Sequence, residues 1–174
     1  MLSSYSPIIS IDIAFFEELD EKNITNYVFE PNSMMVKFDN NSLKNNKYIK
    51  CCLLYRGDVE AKKVFKYMEI FPTKKIYEII NMHPSLFKYN FSYHPPSVVP
   101  GGDLPKFMRD VCMISNHTVM NQFISKINNQ FDKTYNKKEN IQLYLKENMD
   151  EAEFKEAREN LALIEKEYKY YKFD

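Results

Sequence analysis

Hydrophobic positions along the chain fall into runs of two kinds, and each kind predicts a different element. The run from Tyr48 to Tyr55 is almost continuously apolar from Cys51 onward, as in a strand that is covered on both faces. Shorter runs predict four further strands, and residues 1 to 11 look extended. The four strands are Met34 to Phe38, Ile76 to Ile80, Leu86 to Tyr93 and Val111 to Ile114.

Helical periodicity marks most of the remaining apolar positions. Short helical faces are predicted between Ile11 and Leu19 and between Ile24 and Phe29. A longer helix follows Asp58, its expected N-cap, and ends before Pro72. Two more faces lie in the last third of the chain. The first comprises Met120, Phe123, Ile124, Ile127, Phe131 and Tyr135 after a cap at Ser115 or Asn116, and the second comprises Phe154, Ala157, Leu161, Ile164, Tyr168 and Tyr171 after a capping-box-like Asp150 and Glu153.

The order of these elements favours an α+β fold. Strands and helices alternate through residues 1 to 116, which predicts a sandwich of a sheet and helices. Residues 117 to 174 contain helical patterns only, and we predict an antiparallel C-terminal helical hairpin there. With 44% hydrophobic residues and 13 each of Tyr and Phe in 174 residues, the chain can build a core, which excludes disorder of the whole.

Charge is balanced overall but unevenly distributed. Lys and Arg number 24, as do Asp and Glu, so no global positive field favours nucleic acid. Residues 1 to 36 contain six acidic residues and one basic residue, whereas residues 37 to 75 contain ten basic and four acidic residues. Such blocks are solvated faces or interfaces with complementary partners. No apolar run reaches the length of a membrane-spanning helix, and no secretion signal is read at the N-terminus.

Candidate catalytic and metal-binding residues are few. Cys51, Cys52 and Cys112 are interpreted as buried, reduced thiols, because no Cys-x-x-Cys spacing exists. The three histidines stand beside turn signals and are interpreted as exposed loop residues. A zinc site or a Cys–His nucleophile would need these groups to meet in space, and their spacing supports neither. The three glycines of the chain are too few for a phosphate-binding loop.

Longer motifs carry a family resemblance. The chain contains, in order, Tyr-Ser-Pro-Ile-Ile-Ser (5–10), Cys-Cys-Leu-Leu-Tyr-Arg-Gly-Asp-Val (51–59), Ser-Val-Val-Pro-Gly-Gly-Asp-Leu (97–104), Val-Cys-Met-Ile-Ser-Asn (111–116) and Met-Asp-Glu-Ala-Glu-Phe-Lys-Glu-Ala-Arg-Glu (149–159). This series resembles the C-terminal portion of the α-tubulin family and extends from near residue 2 to near residue 168. The loop at 97–104 points to the α member, because β-tubulins have a shorter connection there.

The resemblance implies a definite fold and a missing activity. Residues 1 to 116 are expected to form a tubulin intermediate-domain-like two-layer sandwich with a mixed β-sheet, followed by the C-terminal helices. GTP is the cofactor of full-length family members, and the family's nucleotide-binding domain has no counterpart in this sequence. We therefore expect no cofactor, no metal and no catalytic residue in this chain, and no enzymatic activity of the chain alone.

Three sets of site residues are implied by the same resemblance. The lateral-contact segment, which matches the family's M-loop, comprises Ser6, Pro7, Ile8, Ile9 and Ser10. The α-specific loop, which in the family fills the pocket where β-tubulins bind taxane drugs, comprises Val98, Val99, Pro100, Gly101, Gly102, Asp103 and Leu104. The acidic outer surface, which motors and associated proteins bind, comprises Asp150, Glu151, Glu153, Glu156 and Glu159; by its charges alone this set is also a solvated helix face.

The implied function is structural. The resemblance suggests a constituent of the microtubule cytoskeleton in the cytoplasm, with β-tubulin, other tubulin subunits, motors and associated proteins as partners, and with neither nucleic acid nor membrane. Two alternatives stay open: a non-polymerising module that caps or decorates microtubules, and one fragment of a split gene whose full product is a GTPase. Departures from the family pattern near subunit contacts put a normal fit to β-tubulin in doubt. They lie at Met82, His83, Leu143 and Lys146.

Overall fold

Two units of different construction make up the chain, Met1–His117 and Thr118–Asp174. The computed structural model describes residues 1–14, 19–39, 43, 45–71, 78–80, 86–103, 105–138 and 141–173. The first unit contains a sheet with helices, and the second contains helices only.

A four-stranded mixed sheet forms the centre of the first unit. Its strands are β1 (Leu2–Ser6), β2 (Tyr48–Gly57), β3 (Phe87–Ser92) and β4 (Arg109–His117), in the spatial order β1–β4–β2–β3. Strand β4 pairs antiparallel with both β1 and β2, whereas β2 and β3 run parallel. The parallel pair needs a crossover connection, and a helix between β2 and β3 belongs to that connection. The prediction of an α+β fold with a mixed sheet is confirmed.

The core lies on one face of the sheet. Alternate residues of a strand point to opposite faces, and Leu53 and Tyr55 of β2 and Val111 and Met113 of β4 are all buried. The intervening positions of β2, such as Leu54, are only half-buried. The prediction that β2 is covered on both faces is therefore wrong for its second face. The continuous apolar run predicted the strand itself correctly but not its one-sided burial.

Helices α2 (Glu21–Phe29) and α3 (Ala61–Ile70) cover the buried face. The first unit also contains α1 (Ile11–Ala14), which buries no residue, and a 3-10 turn at Pro31–Ser33. Asp20 is the N-cap of helix α2, and its side chain accepts a 2.7 Å hydrogen bond from the backbone N–H of Asn23. Helix α2 buries Ile24, Val28 and Phe29, and α3 buries Val64 and Met68 at helical spacing.

Several predicted boundaries of the first unit differ from the structure. The N-cap of α3 is Glu60, without a side-chain hydrogen bond, because Asp58 is paired with Arg109 instead. Strand β4 continues to His117, so neither Ser115 nor Asn116 caps a helix. Pairing with two neighbouring strands stabilises this longer β4, which local sequence signals do not reveal.

Two predicted strands are reduced to single bridges in the described residues. Met34 bridges Ser4, and Ile79 bridges Tyr48. Residues 76 and 77 of the second predicted strand lie outside the described residues. So do residues 15 to 18 of the first predicted helix, of which the structure describes Ile11–Ala14 as helical.

The second unit contains α4 (Met120–Asn136), α5 (Ile141–Lys146) and α6 (Glu151–Phe173). Polar contacts join α4 to α6. Asn128 Nδ2 donates to Glu165 Oε2 at 2.6 Å, and Arg158 donates to both carboxylate oxygens of Asp132 at 2.7 and 2.8 Å. Among the described residues of these three helices, Asn128 is the one buried side chain.

The predicted apolar stripes coincide only in part with the inner faces of α4 and α6. Ile124, Phe131, Phe154 and Leu161 are half-buried, as predicted. Phe123 and Ile127 of α4 are exposed, and so are Ile164 and Tyr171 of α6. Half-buried positions on α6 include Arg158 and Glu165, because hydrogen-bonding partners on α4 meet them. None of the helices in the described part of the chain combines the length and hydrophobicity that a membrane span requires.

Candidate interaction surfaces

The predicted lateral-contact segment leaves the edge of the sheet. Ser6 ends β1 and is buried, and the Ser6–Pro7 peptide bond is cis. The chain then emerges, so that Ile8 is exposed, and Ile11 and Ile13 of α1 are exposed as well. A short apolar surface thus follows directly from the sheet edge, which suits a protein contact more than contact with water.

The predicted α-specific loop contains a tight turn. Gly102 N–H donates to Val99 O at 3.0 Å, with Pro100 and Gly101 as the central residues. Gly101 has φ +77°, a value that glycine adopts without strain, and proline before it fits a type II turn. The described residues of the loop, Val98 to Asp103, are exposed, and Leu104 lies outside the described residues.

A cavity of about 410 Å³ is lined by residues that come shortly after each of these two segments in the chain. Its described lining includes Ala14 and Leu19, which follow the lateral-contact segment, and Phe107 and Arg109, which follow the loop. The described lining does not include Val98 to Asp103. Filling of a pocket by the α-specific loop therefore stays a prediction.

The predicted acidic outer surface lies at the N-terminal end of α6. Its five members are all exposed: Asp150, Glu151, Glu153, Glu156 and Glu159. Asp150 Oδ1 accepts the Ala152 N–H at 2.9 Å, one position earlier than a capping box requires. Glu151 accepts a 2.9 Å hydrogen bond from the Tyr135 hydroxyl of α4. The remaining carboxylates lie on an open helix face, where a basic partner can approach.

An ionic cluster on the second face of the sheet was not predicted. Arg56 donates to both carboxylate oxygens of Asp110, from Nε at 3.1 Å and from Nη2 at 2.5 Å. The Tyr5 hydroxyl donates to the same carboxylate at 2.9 Å. Burial, and then the hydrogen bond to Asp110, raise the pKa of Tyr5 to about 12. The cluster joins β1, β2 and β4, and its members are too far apart in sequence for a local motif to show it.

A second ionic cluster links α2, β4 and the start of α3. Arg109 Nη1 lies 3.3 Å from Glu21, and its Nη2 lies 3.3 Å from Asp58. Glu21 also accepts the backbone N–H of Glu60 at 3.1 Å. Burial alone would raise the pKa of Glu21, but backbone N–H groups and the charge of Arg109 outweigh it and lower the pKa. This cluster fixes the turn between β2 and α3.

Thiols and imidazoles do not form a reactive site among the described residues. Burial raises the pKa of Cys51 and of Cys112, so neither is activated as a thiolate. Cys52 and Cys112 are half-buried rather than fully buried as predicted. His117 is buried and its pKa is lowered to about 4, so its interpretation as an exposed loop residue is wrong. The described part of the chain shows no cluster of metal-ligating side chains.

Comparison with known proteins decides the family. The family model of the tubulin C-terminal domain matches residues 1–129. The chain is also 46% identical to the tubulin alpha-2B chain of Physarum polycephalum over 168 residues, which cover 97% of this chain. This chain belongs to the tubulin C-terminal domain family.

The chain spans 37% of the length of that relative and matches its C-terminal part. The predicted resemblance to α-tubulin is therefore confirmed, and with it the connection to tubulin, microtubules and the cytoskeleton. The mixed sheet and the helices agree with this family membership. The activity and the partners of a whole tubulin subunit are those of a longer chain than these 174 residues.

Sequence motifs suggested three tubulin-like surfaces, whose roles stay predictions, and gave no indication of either ionic cluster. One sequence feature could have indicated the first cluster: the charged Arg-Gly-Asp segment at the end of β2. Its Arg56 points to Asp110, whereas its Asp58 points to Arg109, so the two charges of this short segment belong to different clusters. Only the register of β2 against β4, which pairs Arg56 with Asp110 and Gly57 with Arg109, brings these groups together.

Proposed function

We propose that this chain forms the C-terminal portion of an α-tubulin subunit and serves as a structural constituent of microtubules in the cytoplasm. Identity of 46% over nearly the whole chain to an α-tubulin carries this proposal. The partners would be β-tubulin and other tubulin subunits. We also propose two domains, at residues 1 to 116 and 117 to 174, the second an antiparallel helical hairpin.

Lateral assembly would use the lateral-contact segment, Ser6 to Ser10. Exposure of Ile8 beside a sheet edge supports this role, because an exposed apolar residue on a fixed strand end gains free energy when a partner covers it. The acidic outer surface of α6 would bind motors and associated proteins. Open carboxylates on one helix face support this second role, since they attract basic surfaces over long range.

GTP binding and hydrolysis would belong to the nucleotide-binding domain of full-length family members. We propose that this chain alone neither binds nor hydrolyses GTP. The scarcity of glycine supports this, because phosphate cradles are built from backbone N–H groups at closely spaced glycines. Isothermal calorimetry of the purified chain with GTP tests it. Binding of GTP with a micromolar Kd would overturn the proposal that this chain alone does not bind the nucleotide.

Co-assembly with α- and β-tubulin tests the structural role. Fluorescently labelled chain is expected to enter growing microtubules along their length. Ile8→Glu should reduce incorporation, because a charge replaces the apolar contact, while Met35→Glu, at another exposed apolar position, should not. Labelling confined to microtubule ends would favour the capping module instead. Absence of any association with microtubules would refute both roles.

The split-gene alternative is tested separately, by the coding sequence upstream of residue 1. A continuous reading frame with a glycine-rich nucleotide loop would assign the chain to a longer GTPase. That result would leave the structural role of these residues unchanged, because the sheet and the surfaces described above belong to this part of the polypeptide.

A further inference from the structure

The outer face of α4 carries a straight row of lysines. Lys126, Lys133 and Lys137 are exposed and lie at positions i, i+7 and i+11. At 3.6 residues per turn these positions fall within about 40° of one another around the helix and extend over about 16 Å. They lie opposite Asn128, which contacts α6. The one acidic residue of α4, Asp132, is held by Arg158 and does not face this row.

Exposed apolar side chains flank the N-terminal half of this row. Phe123 is 52% exposed, and Ile127 is also exposed. The outer face of α4 is thus apolar and basic in its first half, and basic and polar in its second half, where Gln130 lies beside the lysines. Because the character of this face changes from one end of the helix to the other, a partner helix with a matching change can bind it in only one orientation.

The outer face of α6 shows the complementary order. Glu156 and Glu159 lie in its first half, and Leu163 and Tyr170 lie further along, where they are 60% and 65% exposed. Glu167 is exposed between them. All of these residues fall within about 40° of Leu163 around the helix, on the side opposite Glu165. This face is acidic first and mainly apolar later.

We propose that the outer face of α4 binds the outer face of α6 of a second copy of this chain, with the two helices antiparallel. In this register Lys137 meets Glu156, Lys133 meets Glu159 and Lys126 meets Glu167. Eleven residues separate the first and last partner on each helix, so the axial distances match. The exposed ring of Phe123 then meets Tyr170, again at equal spacing.

Charge and apolar order together select this occupant. Any acidic partner could pair with the lysines, but a second copy also places the aromatic ring of Tyr170 against the exposed ring of Phe123. The antiparallel sense repeats the contacts inside one molecule, where Asn128 meets Glu165 and Tyr135 meets Glu151.

The two faces lie on opposite sides of the α4–α6 pair. The contact is therefore head-to-tail and leaves a free face at each end, so association continues beyond a dimer. One helix pair is a small interface by the standards of stable complexes, and the association is accordingly weak. The same α6 face is the proposed surface for motors, so the two kinds of partner exclude each other.

Sedimentation velocity of the full chain at increasing concentration tests the proposal. Oligomers are expected at low ionic strength and should dissociate in 1 M salt, where the Debye length falls from about 10 Å at 0.1 M to about 3 Å. The double variant Lys133→Glu with Lys137→Glu should lose association by at least about ten-fold, because two attractions become repulsions. Glu156→Lys with Glu159→Lys should lose it equally. An equimolar mixture of the two variants should associate again, since each charge then meets its opposite.

A matched control variant distinguishes an effect of the α4 face from an effect of the net charge of the chain. Lys62→Glu with Lys66→Glu alters two exposed lysines of α3 and changes the net charge of the chain by the same amount. This variant should associate like the unmodified chain. A chain that stays monomeric at low salt, equal loss in the α3 control, or failure of the mixture to associate would each overturn the proposal. Circular dichroism of every variant confirms that the helices are retained.

Discussion

The sheet unit and the helical unit are held together by opposite means. In the sheet unit, Leu53, Val64 and Val111 are completely buried and belong to one continuous apolar core. In the helical unit, the described residues of α4 and α6 bury no apolar side chain completely; hydrogen bonds, an ion pair and one aromatic contact, Tyr135 with Phe154, join the two helices. Burial of a large aliphatic side chain stabilises by about 1.5–3 kcal/mol, whereas exposed ion pairs are weakened by water and salt.

This difference predicts different sensitivities. A unit with a buried core responds to loss of volume and to buried charge, and it is insensitive to salt. A unit joined by surface polar contacts responds to charge changes and to its neighbours. We therefore expect the sheet unit to determine the stability of the chain and the helical unit to determine what the chain associates with. Five measurements bear on this comparison.

Leu53→Ala should have the largest effect. Leu53 lies in the central strand β2 and is fully buried, so truncation leaves a cavity and costs about 2–5 kcal/mol of unfolding free energy. Chemical denaturation measures the loss. Leu163→Ala makes the same chemical change on the exposed face of α6 and should cost less than about 0.5 kcal/mol. Equal losses at the two sites would contradict the comparison.

Acid should next destabilise the sheet unit through His117. Burial lowers its pKa from 6.5 to about 4, so the native state favours the neutral imidazole. The stabilisation is complete above pH 6.5 and is lost as the pH falls toward 4, by about 3 kcal/mol in total. Denaturation at several pH values should show this slope. His117→Asn should remove it, and His94→Asn, at an exposed histidine, should leave it in place.

Asp110→Asn should have an intermediate effect. The carboxylate accepts from Tyr5 and Arg56, and it is buried, so a neutral amide loses the charge and part of the hydrogen bonding. We expect a loss of about 1–3 kcal/mol, at the lower end because Arg56 is 40% exposed and can be solvated.

A spectroscopic readout distinguishes the cluster from general destabilisation. The pKa of Tyr5 should fall from about 12 in the Asp110→Asn variant, while burial keeps it above that of a free phenol. Phenolate absorbance, referenced to Tyr5→Phe, measures this shift. Asp103→Asn, at an exposed acid outside both ionic clusters, should change neither stability nor the pKa of Tyr5. An unchanged pKa in Asp110→Asn would show that the carboxylate does not hold the hydroxyl.

The smallest effect is expected for Arg158→Gln in the helical unit. The variant removes both hydrogen bonds to Asp132, whose pKa is lowered by them. The helices should melt at a slightly lower temperature by far-ultraviolet circular dichroism, and only at low salt. Lys155→Gln, at an exposed position three residues earlier, serves as the control. An effect as large as that of Leu53→Ala would invert the comparison.

Acid sensitivity of the helical unit should appear at lower pH than that of the sheet unit. Hydrogen bonds from Lys169 and then Asn128 lower the pKa of Glu165 to about 2. A carboxylate with a lowered pKa contributes stability above its unfolded pKa of about 4.3, and this is lost as the pH falls toward 2. Residue-specific hydrogen exchange can follow both units in one titration.

Much of the sheet unit could be predicted from the sequence. The apolar run at Tyr48 to Tyr55 predicted β2, and the periodicity after Asp58 predicted α3, because burial imposes a period that is visible locally. The length of β4 could not be predicted. Its residues as far as Ser115 pair with both β1 and β2, and Asn116 and His117 pair with β2. Such pairing depends on strands more than fifty residues away in sequence.

The helical unit shows the converse. Both long helices were predicted, but their inner faces only in part, because apolar periodicity assumes that apolar residues are the ones that pack. Phe131 and Leu161 are half-buried members of the predicted stripes. Here Arg158 and Glu165 occupy inner positions, and Phe123 lies outside. Arg158 and Glu165 pack inward because side chains of α4 form hydrogen bonds with them. These partners are known only once α4 and α6 are placed together.

The family, the element types and the uneven distribution of charge could be predicted from the residues in order, since long motifs and periodicity are properties of neighbouring residues. Which charges meet depends on the fold. Arg56 and Asp110 face each other across the β2–β4 register, and Glu21 reaches Arg109 from a helix. The physical reason is distance: electrostatic and hydrogen-bonding interactions act over a few ångströms in space, and only folding brings residues that are far apart in the chain within that range.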